Sequence, residues 1–151
     1  MSLRNSWGRN FQGMRDLIRQ IFPEIMEKMF FMVPEELEGG TLMPRGDFVA
    51  EITLQGEREI TVRILVPESL ASAMAKNLLP DEEPSGERLK DILKELANML
   101  GGNLIVSLGS GWKLGLPRVY EGVEAFGLIG GIEPALEYDI DGEPLAIYLE
   151  E

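Results

Sequence analysis

The sequence predicts an α+β domain in which a mostly antiparallel sheet carries long helices on it. Two long stretches repeat apolar residues at helical spacing, and the strand-like segments arrive mainly in pairs joined by short turns. Strands that follow one another as hairpins form antiparallel sheets, and the helices between them then pack on the sheet. With 151 residues, of which 44% are hydrophobic, the chain suits a single domain over residues 1–151.

The first helix is predicted over about residues 14–32, where apolar residues recur at three- and four-residue spacing. Pro23 either kinks one helix or begins a second one, and we favour a single kinked unit. The methionine and phenylalanine stripe on this helix is interpreted as core rather than as a soft docking groove. Residues 1–13 are polar, contain two glycines and are expected to fray.

A loop and a β-hairpin are predicted next. Residues 33–45 contain two prolines and two glycines and are assigned to a loop. Apolar and polar residues alternate over residues 48–54, a turn follows at residues 55–57, and a second strand returns over residues 59–66.

Two helices follow the hairpin. The first is short, over about residues 68–79, and an acidic turn at residues 80–84 separates it from the second. The second helix begins at Ser85 or Gly86 and runs to about Val106.

The rest of the chain is predicted as strands. Residues 114–120 form a weak strand that contains a proline, and residues 125–132 read as a glycine-rich strand. A terminal hairpin consists of residues 136–140, the turn Asp141-Gly142 and residues 145–149.

Composition excludes several kinds of chemistry. The chain has no cysteine and no histidine, which removes disulfides, thiol nucleophiles, the usual zinc ligands and the commonest general base near neutral pH. The absence of cysteine agrees with a cytoplasmic location. We see neither an apolar run long enough to span a bilayer nor a secretory signal in residues 1–10.

The charge balance bears on possible partners. The net charge is −12, from 26 acidic and 14 basic residues. Such a surface repels nucleic-acid phosphates and anionic membranes, so neither is an expected partner. A protein partner with a basic rim is electrostatically acceptable, although the acidity also serves plain solubility.

The long helix after Ser85 carries the candidate site. At about 100° per residue, four residues fall within one narrow arc, which we call the polar arc: Asp91, Glu95, Asn98 and Gly102. Apolar residues fill the opposite side and anchor the helix. A carboxylate that grips a cation, beside a carboxamide that orients a water, suits hydrolysis of a bond brought by a partner.

A simpler interpretation is that this face is only solvated, with weak ion pairs such as Asp91 to Lys94 and Glu87 to Lys90. Two details argue against it. Asn98 is a poor helix former in mid-helix, and the Gly101-Gly102 pair weakens the helix unless packing or a partner's backbone requires it.

The first helix carries a second acidic pair, Glu24 and Glu27, at the same three-residue spacing. Neither residue offers an amide, and we assign both to the solvated face.

The residues of the polar arc resemble a known signature. Asp91-x-x-x-Glu95-x-x-Asn98, with Leu96, Ala97, Met99 and Gly102 around it, is similar to the helix signature of the CheC/CheX/FliY family of chemotaxis phosphatases. Residues 27–32 also resemble the first helix of CheX-like domains, and the order of elements agrees from about residue 14 to residue 149.

The resemblance implies a CheC/CheX-like fold and removal of phosphate from the aspartyl phosphate of a CheY-like response regulator. Glu95 would pair with a lysine of the regulator, Asn98 would hold the attacking water, and Asp91 would support that surface. No cofactor would be bound by this chain, because the regulator would bring the divalent metal. The first helix lacks the asparagine, so one site per chain is implied, and a homodimer formed through sheet edges is expected as in CheX.

One spacing departs from the family pattern, because Pro117 stands closer to Asn98 than the corresponding proline does in the family. Two alternatives stay open on the sequence alone. The chain is a non-catalytic module of the same fold that docks a receiver domain or a flagellar-switch-like assembly, or it is an unrelated acidic α+β domain.

Overall fold

A computed structural model describes residues 11–38 and 46–151 of the chain. These residues form four helices and seven strands, in the following order along the chain: α1 (Gln12–Phe30), β1 (Glu35–Leu37), β2 (Phe48–Gln55), β3 (Glu59–Val66), α2 (Glu68–Leu78), α3 (Gly86–Leu108), β4 (Lys113–Leu114), β5 (Arg118–Glu121), α4 (Gly122–Ile129), β6 (Leu136–Ile140) and β7 (Glu143–Glu150). The predicted α+β class is confirmed.

The seven strands form one sheet in the order β1-β6-β7-β3-β2-β4, and β5 pairs with β2 along the same edge as β4. Every strand pair in the described residues is antiparallel. The two predicted hairpins are present as β2–β3 and β6–β7. The second closes at Asp141 and Gly142, whose positive φ angles of 53° and 85° are those that a two-residue hairpin turn of type I′ requires.

The main core lies between one face of the sheet and the helices α1, α2 and α3. The apolar stripe of α1 is fully part of it, as predicted, and the ring of Phe22 lies 5.0 Å from that of Tyr138 on β6. The helix passes through Pro23 without ending and stops at Phe31, which adopts a left-handed conformation. Because α1 begins at Gln12, the expected fraying of residues 12–13 is wrong, while residues 1–10 lie outside the described part.

Two predictions in the loop regions are also wrong. Residues 35–37, assigned to a loop, form the edge strand β1, which pairs with residues 137–139 of β6. The weak strand at residues 114–120 divides into β4 and β5, because Pro117 has no N–H to donate to the ladder.

The segment predicted as a glycine-rich strand is the helix α4. It covers part of the opposite face of the sheet, where a smaller cluster contains Val49, Leu65 and Ala146. Ala125 and Ile129 lie one helical turn apart on α4, and both side chains are buried in that cluster. The strand assignment at residues 125–132 failed because a short apolar run suits a helix and a strand equally.

Candidate functional site

Helix α3 positions the candidate site by burying one face completely. Ser85 caps its start, because the Ser85 hydroxyl accepts a hydrogen bond from the Arg88 N–H at 3.2 Å. The predicted opening of the helix is thus confirmed, and its end lies two residues beyond Val106, at Leu108. Its buried residues are Leu89, Ile92, Leu93, Leu96, Ala97, Leu100, Gly101 and Leu104.

The polar arc lies on the opposite, outward face. Asp91, Glu95 and Asn98 are exposed and Gly102 is half-buried, so the structure brings the four predicted site residues together on one surface. Glu95 and Asn98 are three positions apart, which puts their Cβ atoms about 5–6 Å from each other on a helix.

Neither side chain of this pair has a partner in the part of the chain that the structure describes. Across residues 11–38 and 46–151 we find no hydrogen bond or ion pair made by the side chain of Glu95 or Asn98. The other two asparagines of this part of the chain are both occupied. The amide of Asn77 donates to the carbonyl of Phe30 at 2.7 Å, and that of Asn103 donates to the carbonyl of Met99 at 2.8 Å. The carboxamide of Asn98 is therefore available to a molecule outside the chain.

The two glycines of α3 serve different purposes. A Cβ atom at Gly101 would lie 2.7 Å from Leu114 Cδ1 and 2.9 Å from Ile52 Cγ1, so this glycine lets α3 approach the sheet closely. A Cβ atom at Gly102 would meet no atom of residues 11–38 or 46–151 within 4 Å. Packing within the chain explains Gly101 and does not explain Gly102, which leaves an open step in the surface beside Asn98.

An ion pair beside the polar arc ties α3 to the edge of the sheet. Lys90 Nζ lies 2.6 Å from Glu121 Oε1 at the end of β5, and the hydrogen bond from this carboxylate raises the pKa of Lys90. The sequence suggested Glu87 as the partner, because the helical spacing shows only local pairs. The long-range partner became visible only when the topology placed β5 along α3.

The second acidic pair of the sequence belongs to a solvated surface. Glu24 and Glu27 are both exposed on α1, and the carboxylate of Glu24 is 2.5 Å from the ammonium group of its helical neighbour Lys28. This hydrogen bond lowers the pKa of Glu24. The assignment of the pair to the solvated face of α1 is confirmed.

The polar arc offers hydrogen bonding and negative charge. Among residues 11–38 and 46–151, no group of three or more acidic side chains is placed to hold a metal ion. In the same residues, no helix is both long and apolar enough to cross a membrane. An exposed carboxylate next to an exposed carboxamide can bind a basic side chain and orient a water for a reaction on another molecule.

Comparison with solved structures places the fold among chemotaxis proteins. A chemotaxis protein CheX from Desulfovibrio desulfuricans superimposes with a TM-score of 0.71 at 14% identity, over 89% of this chain and 96% of that one. The CheX–CheY–BeF3–Mg²⁺ complex from Borrelia burgdorferi gives 0.70 at 18% identity, over 90% and 97%. A CheC-like superfamily protein from Shewanella sp. PV-4 gives 0.65 at 17% identity, over 90% and 96%.

The sequence itself matches a family as well. No curated protein matches the chain significantly. The family described as "Chemotaxis phosphatase CheX" matches residues 48–126, more than half of the chain, and this range includes the whole polar arc. The chain therefore belongs to the CheX family of chemotaxis phosphatases.

Proposed function

We propose that this protein hydrolyses the aspartyl phosphate of a CheY-like response regulator with the Glu95–Asn98 pair. The observation that carries the proposal is the pair itself: two adjacent polar side chains on a rigid helix, exposed and without partners in the described chain. The solved complex of a CheX with CheY supports a partner of this kind.

In this proposal Asn98 positions the attacking water. Its carboxamide oxygen accepts a hydrogen bond from the water, whose oxygen is then held in line with the phosphorus. As the water oxygen bonds to phosphorus, the bond from phosphorus to the aspartyl oxygen breaks, leaving inorganic phosphate and a free carboxylate. Such transfer depends on position and charge more than on a strong base, so a protein without histidine can catalyse it.

Glu95 fixes the register of the two proteins. Its carboxylate would receive a charge-assisted hydrogen bond from a lysine ammonium at the phosphorylation site of the regulator. Asp91, about one turn earlier on the same arc, would support this contact, and Gly102 would leave room for the backbone of the regulator. We expect the regulator to bring the divalent metal that neutralises charge on the phosphoryl oxygens.

The proposal assigns one site to each chain. The equivalent face of α1 has Glu24 and Glu27 but no amide at this spacing, and Glu24 is already paired with Lys28. We place the reaction in the cytoplasm, which agrees with the cysteine-free sequence.

A non-catalytic module that docks a receiver domain through the same face is the second candidate. The low identity to the solved relatives, 14–18% for the three compared above, leaves the catalytic roles of individual residues open. The two candidates make the same contact and differ only in whether phosphate leaves.

One experiment separates them. A panel of receiver domains is phosphorylated with a small-molecule phosphate donor and incubated with the protein at one tenth of their concentration. The proposed phosphatase releases several phosphates per chain, faster than each receiver releases phosphate alone. Binding of a phosphorylated receiver without faster release selects the docking module, and the absence of both would contradict the proposed function.

The variant Glu95→Ala is expected to raise the KM for the phosphorylated receiver about tenfold, since a charge-assisted hydrogen bond is lost. The turnover number should also fall, because the receiver then docks in a less defined register. Steady-state phosphate release measures both quantities. Glu27→Ala on α1 is the matched control and should behave as the wild type; an unchanged KM for Glu95→Ala would remove the docking role of Glu95.

We further propose a homodimer that forms by pairing of β1 edges. Among the described residues β1 forms one edge of the sheet and β4 with β5 forms the other, and an edge strand can pair with a strand of another chain. Pairing through β1 leaves α3 and β5 accessible. Light scattering at micromolar concentration should give twice the mass of the chain, 33.6 kDa against 16.8 kDa for a monomer. The monomer mass would contradict the dimer without affecting the proposed reaction.

A further inference from the structure

The polar arc does not end at Gly102 but continues into exposed apolar surface. Val106 follows Gly102 by four residues, which is one helical turn, and its side chain is 81% exposed. Asn98 and Val106 are eight residues apart, so they are separated by about 12 Å along the helix axis. The other apolar residues of α3 are largely on its buried face, whereas Val106 does not contribute to the core.

A second exposed apolar side chain, Leu116, lies beside the same helix. Leu114 and Arg118 pair with Leu54 and Glu51 of β2, so three residues of the edge face only two of β2 and form a bulge. The bulge (residues 115–117) projects Leu116, which is 82% exposed, from the edge of the sheet.

The position of this bulge along α3 follows from two contacts on either side of it. Leu114 borders Gly101, and Glu121 is paired with Lys90. Residues 114–121 therefore run antiparallel to residues 90–101 of α3. Leu116 lies between these two contacts and flanks the part of α3 that carries Asn98.

We infer that Val106 and Leu116 form the apolar anchor by which the phosphorylated receiver docks. The inference rests on the proposed function. A specific protein interface covers about 800 Å² on each partner, equivalent to a disc of about 16 Å radius. A footprint centred on Asn98 reaches Val106, about 12 Å away along the helix axis, and Leu116 flanks the same part of α3. Covering these exposed apolar side chains removes them from water, which favours binding.

With this anchor, Val106 and Leu116 contribute to binding of the receiver, whereas Asn98 on the same surface contributes to the reaction. Val106 and Leu116 contact the receiver equally before and during the reaction, so they lower KM without changing the turnover number. The receiver surface that fits them carries an apolar patch next to its phosphorylated aspartate and basic side chains at the rim that suit the acidic chain.

The test is the double variant Val106→Ala/Leu116→Ala, with a receiver that the wild type dephosphorylates. We expect KM to rise about tenfold, because apolar surface buried on binding is lost, and the turnover number to stay within about twofold. The control is Phe126→Ala on α4, which is 73% exposed and belongs to a helix packed on the other face of the sheet. Because all three side chains are exposed, circular dichroism and thermal unfolding should match the wild type.

The outcomes separate the anchor from the reaction. An unchanged KM in the double variant, with an active wild type, overturns the anchor and leaves the proposed function standing. An equal rise of KM in Phe126→Ala also overturns it, because the effect would then not depend on this surface. If the wild type neither binds nor dephosphorylates any receiver, the proposed function fails, and the anchor fails with it.

Discussion

Asn98→Ala is expected to lower the turnover number for phosphate release about a hundredfold, which corresponds to about 3 kcal/mol of lost transition-state stabilisation. The carboxamide would contact only the attacking water, so KM should change by less than about threefold. Its removal leaves no unsatisfied group inside the protein, because the side chain of Asn98 has no partner in the described chain. Steady-state phosphate release from a phosphorylated receiver measures both constants.

Asn103→Ala is the matched control for this prediction. Asn103 stands on the same helix and is also exposed, but its amide already donates to the carbonyl of Met99. It should release phosphate at the wild-type rate. If Asn103→Ala and Asn98→Ala lose activity equally, the loss reflects a disturbed helix, and the role given to Asn98 is wrong.

Gly101→Val is expected to lower the free energy of unfolding by about 3 kcal/mol, the largest effect on stability that we predict. A Cβ atom at this position already lies within 3 Å of Leu114 and Ile52, and the two methyl groups of valine extend farther into the core. Ile52 belongs to the central part of β2 and is fully buried, so it cannot move aside. Urea denaturation followed by circular dichroism measures the loss.

The same substitution one residue later provides the control. Gly102→Val places its Cβ atom in open space, and valine is a few tenths of a kcal/mol better than glycine in a helix. We expect its stability to stay within about 0.5 kcal/mol of the wild type, while its KM for the phosphorylated receiver rises. Equal losses of stability at the two positions would show that the close approach of α3 to β2 has been misassigned.

The contrast between these glycines shows where sequence reasoning reaches its limit. The sequence indicates that the pair is costly to the helix and is consistent with either packing or a partner as the reason. Which glycine served which purpose depended on the identity of the facing strand, and a helical pattern does not contain this information. Only the contact of Gly101 with β2 and β4 assigned the packing role to that residue.

Helices and strands with a strong apolar periodicity were predicted well. Elements that form only through contacts with distant parts of the chain were not. Helices α1 and α3 and the hairpins β2–β3 and β6–β7 carry their own signals of spacing and turn chemistry. Strand β1 has three residues, two of them exposed glutamates, and exists only because β6 lies beside it. Helix α4 was missed because it is only eight residues long and exposes Phe126, so neither period dominates.

The candidate site was more predictable than the loops around it. All four residues of the polar arc belong to one helix, so the helical period alone was sufficient to place them on one face. Leu116 illustrates the opposite case. Its position beside α3 depends on a bulge, on the contact of Leu114 with Gly101 and on the Lys90–Glu121 ion pair. None of these long-range contacts leaves a local pattern in the sequence.

We propose that the exposed face of α3 enters the phosphorylated site of another protein and catalyses the loss of its phosphate. The most direct measurement is the number of phosphates released per chain and per minute from a phosphorylated receiver domain. We predict repeated turnover by the wild type at a rate well above that of the receiver alone, and its near-complete loss in Asn98→Ala. Release that the protein does not accelerate, or that Asn98→Ala supports as fast as the wild type, would contradict the proposed role of this face.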